Sequence, residues 1–191
     1  LDITGIGPVR ERLHLKEIDA GESGLLARLL IPILSVINEE PVTVTGRGTL
    51  LKRPLEGATG IMASYGVLLR DSHIPATVTG HLIPGTADVS GQGGSQLISG
   101  LLMALPLADK DSTLYVSEPK SIPYMYITLD VLRKFNVRTS SEMEGDAGML
   151  ESQDWSGCTG ITFKIRGNQK LKAADFDIEA DWSSAANLLV A

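Results

Sequence analysis

Leu25, Leu26, Leu29, Leu30, Ile33 and Ile37 recur at helical spacing, which predicts a helix with one apolar face from about Gly24 to Asn38. Pro32 lies inside that face. It has no N–H to donate, so it is expected to kink the helix or split off its first turns. "PVTVTG" (41–46) alternates β-branched with other residues and reads as a short strand. Beyond the loop "RGTLLKR", Pro54 is expected to open a second helix through Ile61, Met62, Tyr65 and Leu68. "ATVTG" (76–80) and "TADVSG" (86–91) are further strands.

The order then restarts. Ser95 to Leu105 reads as a helix apolar nearly all round, "STLYVS" (112–117) as a strand, and Pro123 opens a helix through Tyr124, Ile127, Val131, Leu132 and Phe135. Gly24 and Ser95 are 71 residues apart, and Pro54 and Pro123 are 69 apart. An internal duplication explains one period shared by two helix–strand–loop–Pro–helix–strand units. The expected units run over about 1–80 and 81–145, with an incomplete third over 146–191. Ser183 in "ADWSS" would open that third unit, and an insertion in the polar, Gly-rich stretch 139–160 would account for the drift in period. The expected class is α/β (α+β), one domain over 1–191, with helices buried beneath sheets.

Composition narrows the partners. The chain has 191 residues, 43% of them apolar, and a net charge of −6, which is enough apolar content for a core and the wrong sign for nucleic acid or an anionic membrane. One cysteine, Cys158, excludes a disulfide framework and fits a reducing, cytoplasmic setting. The apolar runs are too short to span a bilayer. His14, His73 and His81 lack metal-ligand spacing, "GQGGSQ" is not a dinucleotide loop, and no G-x-S-x-G elbow is present. Both ends read as cut, as in a piece of a longer protein.

Each predicted first helix follows glycine and small polar residues: "AGESG", "GQGGS" and "ADWSS". Helix N-termini carry free N–H groups and partial positive charge, and several together can hold a phosphate or carboxylate. Four features could serve such an anion. Gln96 and Ser95 open an apolar helix after Gly93-Gly94, where backbone can approach a ligand. Arg53 stands before a proline as a guanidinium fork or a surface residue. A side chain at Gly24 would cover first-turn N–H groups. Ser121 and Tyr124 flank a helix start, as an N-cap and a core residue or as ligands.

"DAGESGLLARLL" (19–30), "VTGRGTLLKRPL" (44–55), "VSGQGGSQLISGLLMALPLA" (89–108), "SIPYMYITLDVLRKFNV" (121–137) and "IEADWSSAANLLVA" (178–191) together resemble the 3-phosphoshikimate 1-carboxyvinyltransferase family. The resemblance implies a domain of repeated βαβαββ units with helices inside and sheets outside. It also implies transfer of an enolpyruvyl group from phosphoenolpyruvate to the 5-hydroxyl of shikimate 3-phosphate, without metal or organic cofactor. Carried over by motif, Ser95, Gln96, Ser121 and Tyr124 would hold shikimate 3-phosphate. Gly24, through its backbone, Arg53 and Gln96 would hold phosphoenolpyruvate. The family's acid and base groups have no counterpart here, so the chain would be one of two domains and inactive without the other. Three positions depart from the family pattern: Gly94 replaces a serine, Glu22 an asparagine and Leu25 a threonine. Two alternatives remain, a UDP-N-acetylglucosamine enolpyruvyl transferase relative, whose loop cysteine is missing from "GRGTLLKR", and a non-catalytic binding module of the same fold.

Overall fold

The computed structural model describes residues 2–5, 11–55, 57–178 and 182–190. The first unit runs β1 (Glu17–Asp19), α1 (Gly24–Ile37), β2 (Val42–Thr45), a 3-10 turn (Gly48–Lys52), α2 (Ala58–Ala63), β3 (Leu68–Arg70) and β4 (Ala76–Thr79). The second runs β5 (Thr86–Ser90), α3 (Ser95–Ala104), β6 (Ser112–Ser117), α4 (Ile122–Lys134), β7 (Thr139–Gly145), α5 (Ala147–Glu151) and β8 (Cys158–Ile165). A last helix, α6 (Trp182–Val190), follows.

The two units repeat one topology. Their sheets order as β1-β2-β4-β3 and β5-β6-β8-β7. In each, the first pair is parallel and the other two pairs are antiparallel. Alternation in sequence becomes alternation in burial. Val42 and Val44, Ala76 and Val78, and Leu114 and Val116 point into the core, and the residues between them are half exposed. A parallel pair needs a crossover, and α1 and α3 supply it. α3 buries Leu97, Ile98, Leu101, Leu102 and Ala104, which explains why its sequence is apolar nearly all round. One apolar cluster joins both units.

Pro32 does not split α1, which runs unbroken from Gly24 to Ile37. The reason lies across the helix pair. A β-carbon on Gly100 of α3 would stand 2.8 Å from Pro32 Cγ, 3.0 Å from the Leu29 carbonyl and 3.1 Å from that of Arg28. The bare backbone of Gly100 therefore receives the proline ring, and α1 and α3 cross closely there. Gly100→Val should lose about 1–3 kcal/mol through overpacking, more than the roughly 0.5 kcal/mol that valine gains in helix propensity. Thermal denaturation of the variant measures this directly, and an unchanged midpoint would mean that the crossing can open.

Three other expectations change. The helix expected from Pro54 begins only at Ala58, and Leu68 belongs to β3. Arg53 is extended, Leu55 donates its N–H to Ser72 O (2.7 Å) and the Pro54 carbonyl accepts from Arg28 Nη2 (2.6 Å), which holds Pro54 and Leu55 off the helix. The polar stretch 139–160 is largely ordered as β7, α5 and the start of β8. The second sheet consequently closes at Ile165, not at 145, because β8 is the strand that pairs with both β6 and β7. Of the expected third unit, α6 is described, and residues 179–181 lie outside the described chain. Leu188, Leu189 and Val190 of α6 are exposed. No helix among the described residues is long and apolar enough to cross a membrane.

Candidate anion-binding site

The residues singled out above fall into two clusters, one per unit. In the first, Ser23 Oγ caps α1 by accepting the Leu26 N–H at 3.1 Å. Gly24, the next residue, is buried. A β-carbon there would stand 3.0 Å from Arg28 Nη1 and 3.6 Å from Arg53 Nη1, so two guanidinium groups meet at this helix N-terminus. Arg53 is not beside the start of α2. It ends the 3-10 turn and its Nη2 donates to Thr49 Oγ1 at 3.2 Å.

Sequence reasoning missed Arg28. Its Nη1 donates to the Gly24 carbonyl at 3.0 Å and its Nη2 to that of Pro54, tying the first turn of α1 to the segment after Arg53. The available signal was one arginine four residues beyond Gly24 in an otherwise apolar helix. Arg47 is committed to Asp19 at 2.9 Å. Glu22 turns its carboxylate onto Gly48, where a β-carbon would collide with it. Leu25 is half exposed.

In the second cluster, the loops before α3 and α4 are joined. Gly91 donates its N–H to Ser117 O at 2.7 Å, and Gln92 Nε2 donates to Glu118 Oε2 at 2.8 Å. Gly91 cannot bear a side chain, since a β-carbon would lie 2.6 Å from Pro119 Cα. These loops follow the C-terminal ends of the parallel strands β5 and β6, so α3 and α4 start at the same end of the unit. Farther along, Thr128 Oγ1 donates to Ser99 Oγ at 2.9 Å, keeping the two helices side by side.

Neither helix is capped by a side chain. Gly94 precedes α3 with φ +94° and ψ −179°. A β-carbon there would meet nothing, but that backbone conformation excludes an unstrained serine. The glycine is therefore a change of backbone as well as a lost hydroxyl. Ser95 is buried and Gln96 is exposed.

Ser121 was weighed as an N-cap, and the geometry rejects that role. Its φ of +54° and ψ of +40° are left-handed, whereas a capping serine is extended, and it makes no capping hydrogen bond. Glu118 is left-handed too, with φ +47°. Two strained non-glycine residues three apart hold this loop in one shape. Tyr124 is not core: it is 57% exposed, on the first turn of α4. Thus Ser95, Gln96, Ser121 and Tyr124 gather at two uncapped N-termini, and Gly24 and Arg53 gather at the third.

Among the described residues no group of three or more His, Cys, Asp or Glu could hold a metal ion. Cys158 is buried at the start of β8, and burial raises its thiol pKa, so it stays protonated at neutral pH. It also lies outside the 46–53 loop that the UDP-N-acetylglucosamine enolpyruvyl transferase alternative requires.

Comparison with known proteins places the chain in a family. The family model of EPSP synthase (3-phosphoshikimate 1-carboxyvinyltransferase) matches residues 6–191. The 3-phosphoshikimate 1-carboxyvinyltransferase of Clostridium novyi is 35% identical over 189 residues, 97% of this chain and 40% of that protein. That of Methanococcus maripaludis is 33% identical over 180 residues, 91% of this chain and 39% of that protein. The chain thus spans about two fifths of the length of these relatives. An EPSP synthase structure from Acinetobacter baumannii superposes with a TM-score of 0.64 at 23% identity, covering 92% of this chain and 36% of that one, a likeness of fold. The match across nearly the whole chain, on a duplicated βαβαββ architecture, shows that the chain belongs to the EPSP synthase family.

Proposed function

We propose that this chain is the shikimate-3-phosphate-binding domain of a two-domain EPSP synthase. The observation that carries the reading is the pair of uncapped N-termini of α3 and α4, tied together by Gln92 and Glu118. Their free N–H groups and the Ser121 hydroxyl, which makes no capping hydrogen bond, suit a phosphate dianion. Ser95, Gln96 and Tyr124 complete the grip on shikimate 3-phosphate. Phosphoenolpyruvate lies against the backbone of Gly24, with Arg53 as its cation and Gln96 between the two substrates.

In the reaction, the 5-hydroxyl oxygen of shikimate 3-phosphate bonds to C2 of phosphoenolpyruvate and loses its proton, and C3 gains one. Elimination of phosphate and a C3 proton from that tetrahedral intermediate then restores the enol double bond. The N-termini and Arg53 stabilise the anionic groups throughout, a role that needs neither metal nor organic cofactor. Proton transfers need groups from the second domain, which is the partner this domain closes upon. The setting is cytoplasmic.

Titration of the chain with shikimate 3-phosphate, followed by NMR, tests the site. Amides of residues 94–97 and 121–124 should shift at millimolar ligand. Those amides staying still while others move would reject the assignment.

A further inference from the structure

The two units differ at one place that bears on the site. β3 and β4 are joined by residues 71–75, whereas β7 and β8 are joined by residues 146–157, which carry α5 and a 3-10 turn (Trp155–Gly157). The strand register places this insertion beside the α4 N-terminus. Gly160 near the start of β8 pairs with Ser117, the last residue of β6, and Ser117 leads straight into the loop bearing Ser121. The Glu118 N–H donates to Thr159 O at 2.9 Å, bonding that loop to the foot of the insertion.

The insertion is a built element. Asp146 Oδ1 caps α5 by accepting the Met149 N–H at 2.9 Å, and the Asp146 N–H donates to Gly157 O at 3.0 Å, closing the segment on itself. Asp154 Oδ1 accepts from both the N–H (3.1 Å) and the hydroxyl (2.6 Å) of Ser156. Trp155 is half buried and packs on the core. Between this wall and the β6–α4 loop lies a cavity of about 420 Å³, whose lining includes Ser121, Pro123, Trp155, Cys158 and Thr159.

We infer that the 146–157 insertion is a specificity wall of the substrate site, and that Trp155 is the positioning residue which closes the space beside the Ser121 hydroxyl. This rests on the reading of Ser121 as a ligand of shikimate 3-phosphate. The indole and the proline ring line the same cavity as Ser121, so a phosphate held there would have less water on that side. With less water to compete, the hydrogen bonds from Ser121 and the α4 N-terminus hold the phosphate more strongly. The effect falls on the substrate at α4 more than on phosphoenolpyruvate, whose cation Arg53 and backbone contact Gly24 lie in the first unit.

Steady-state kinetics of the complete protein that carries this chain give the test. Trp155→Ala should raise the KM for shikimate 3-phosphate by about fivefold or more while the KM for phosphoenolpyruvate stays within about twofold, and Trp155→Phe should restore the wild-type value. A purely structural tryptophan would move both constants together, and that result, or no change in either, overturns the inference. Ser121→Ala separates the two readings. If it weakens shikimate 3-phosphate binding while Trp155→Ala does not, the wall alone is wrong. Should Ser121→Ala have no effect, the site assignment itself falls.

Discussion

Arg53→Lys, made in the complete enzyme, should lower kcat/KM by on the order of tenfold or more. The guanidinium already donates one N–H to Thr49 Oγ1, which fixes its plane, and its Nη1 faces the space left open by Gly24. A lysine ammonium is a point donor on a flexible stem and cannot hold Thr49 and an anion in that fixed geometry. Loss of one charge-assisted hydrogen bond costs about 1.5–3 kcal/mol, and each 1.4 kcal/mol is a factor of ten. The loss should appear in the constants for phosphoenolpyruvate more than in those for shikimate 3-phosphate, because Arg53 and Gly24 share one cluster. Unaltered kinetics would leave Arg53 as a residue that braces the 48–52 turn against α1.

Much of the scaffold around that arginine was legible, and the reason is burial. β2, β4, β5 and β6 each hide one face, so their residues alternate, and α1 shows its apolar stripe at a period that polar neighbours do not blur. β7 hid itself for the opposite reason. "TSSEMEG" is an edge strand of the second sheet with no fully buried residue, so Ser and Glu stand where a core strand would carry valine. The pairing of Lys164 with Glu142 at 2.7 Å crosses from β8 to this edge, and nothing local in either segment announces it. Pro32 was misread because tolerance of a helix proline is set by its neighbour in space. Gly100 lies 68 residues away along the chain, and no pattern around Pro32 points to it.

The site divides in the same way. Ser95, Gln96 and Gly24 could be placed at helix starts because small polar residues and glycine precede a periodic apolar run, a relation contained in a few residues. The left-handed turn at Ser121 could not. Serine before Ile-Pro is the ordinary form of an N-cap, but in the folded loop, where Gly91 packs against Pro119 and the Glu118 carbonyl, its backbone is left-handed. Arg28 was equally hidden. Its targets, the carbonyls of Gly24 and Pro54, are backbone atoms that leave no mark in the sequence.

The same geometry leads to the largest expected effect. This chain alone should release no phosphate from phosphoenolpyruvate and shikimate 3-phosphate, even where the NMR titration finds both clusters occupied. Proton transfer to C3 and from the 5-hydroxyl needs acid and base groups held within hydrogen-bond reach of the substrates. Among the described residues near Gly24, Arg28 is bound to two carbonyls, Arg53 is a guanidinium cation, Arg47 is paired with Asp19, and Glu22 is turned onto Gly48. None of them is a carboxylate or amine aimed at a reacting atom. The second cluster offers hydroxyls, an amide, Lys120 beside Ser121, and Glu118, whose carboxylate accepts from Gln92. The hydroxyls, the amide and Lys120 suit the binding of an anion. Closing a second domain over the pair would bring the missing acid and base and exclude water, which strengthens every charge interaction inside. Phosphate release should therefore be assayed with the purified chain and both substrates, then repeated after a domain corresponding to the part of the relatives that this chain does not span is added in trans. Turnover appearing only on mixing fits a substrate-binding half, and steady turnover by the chain alone would place a proton-transfer group within these 191 residues.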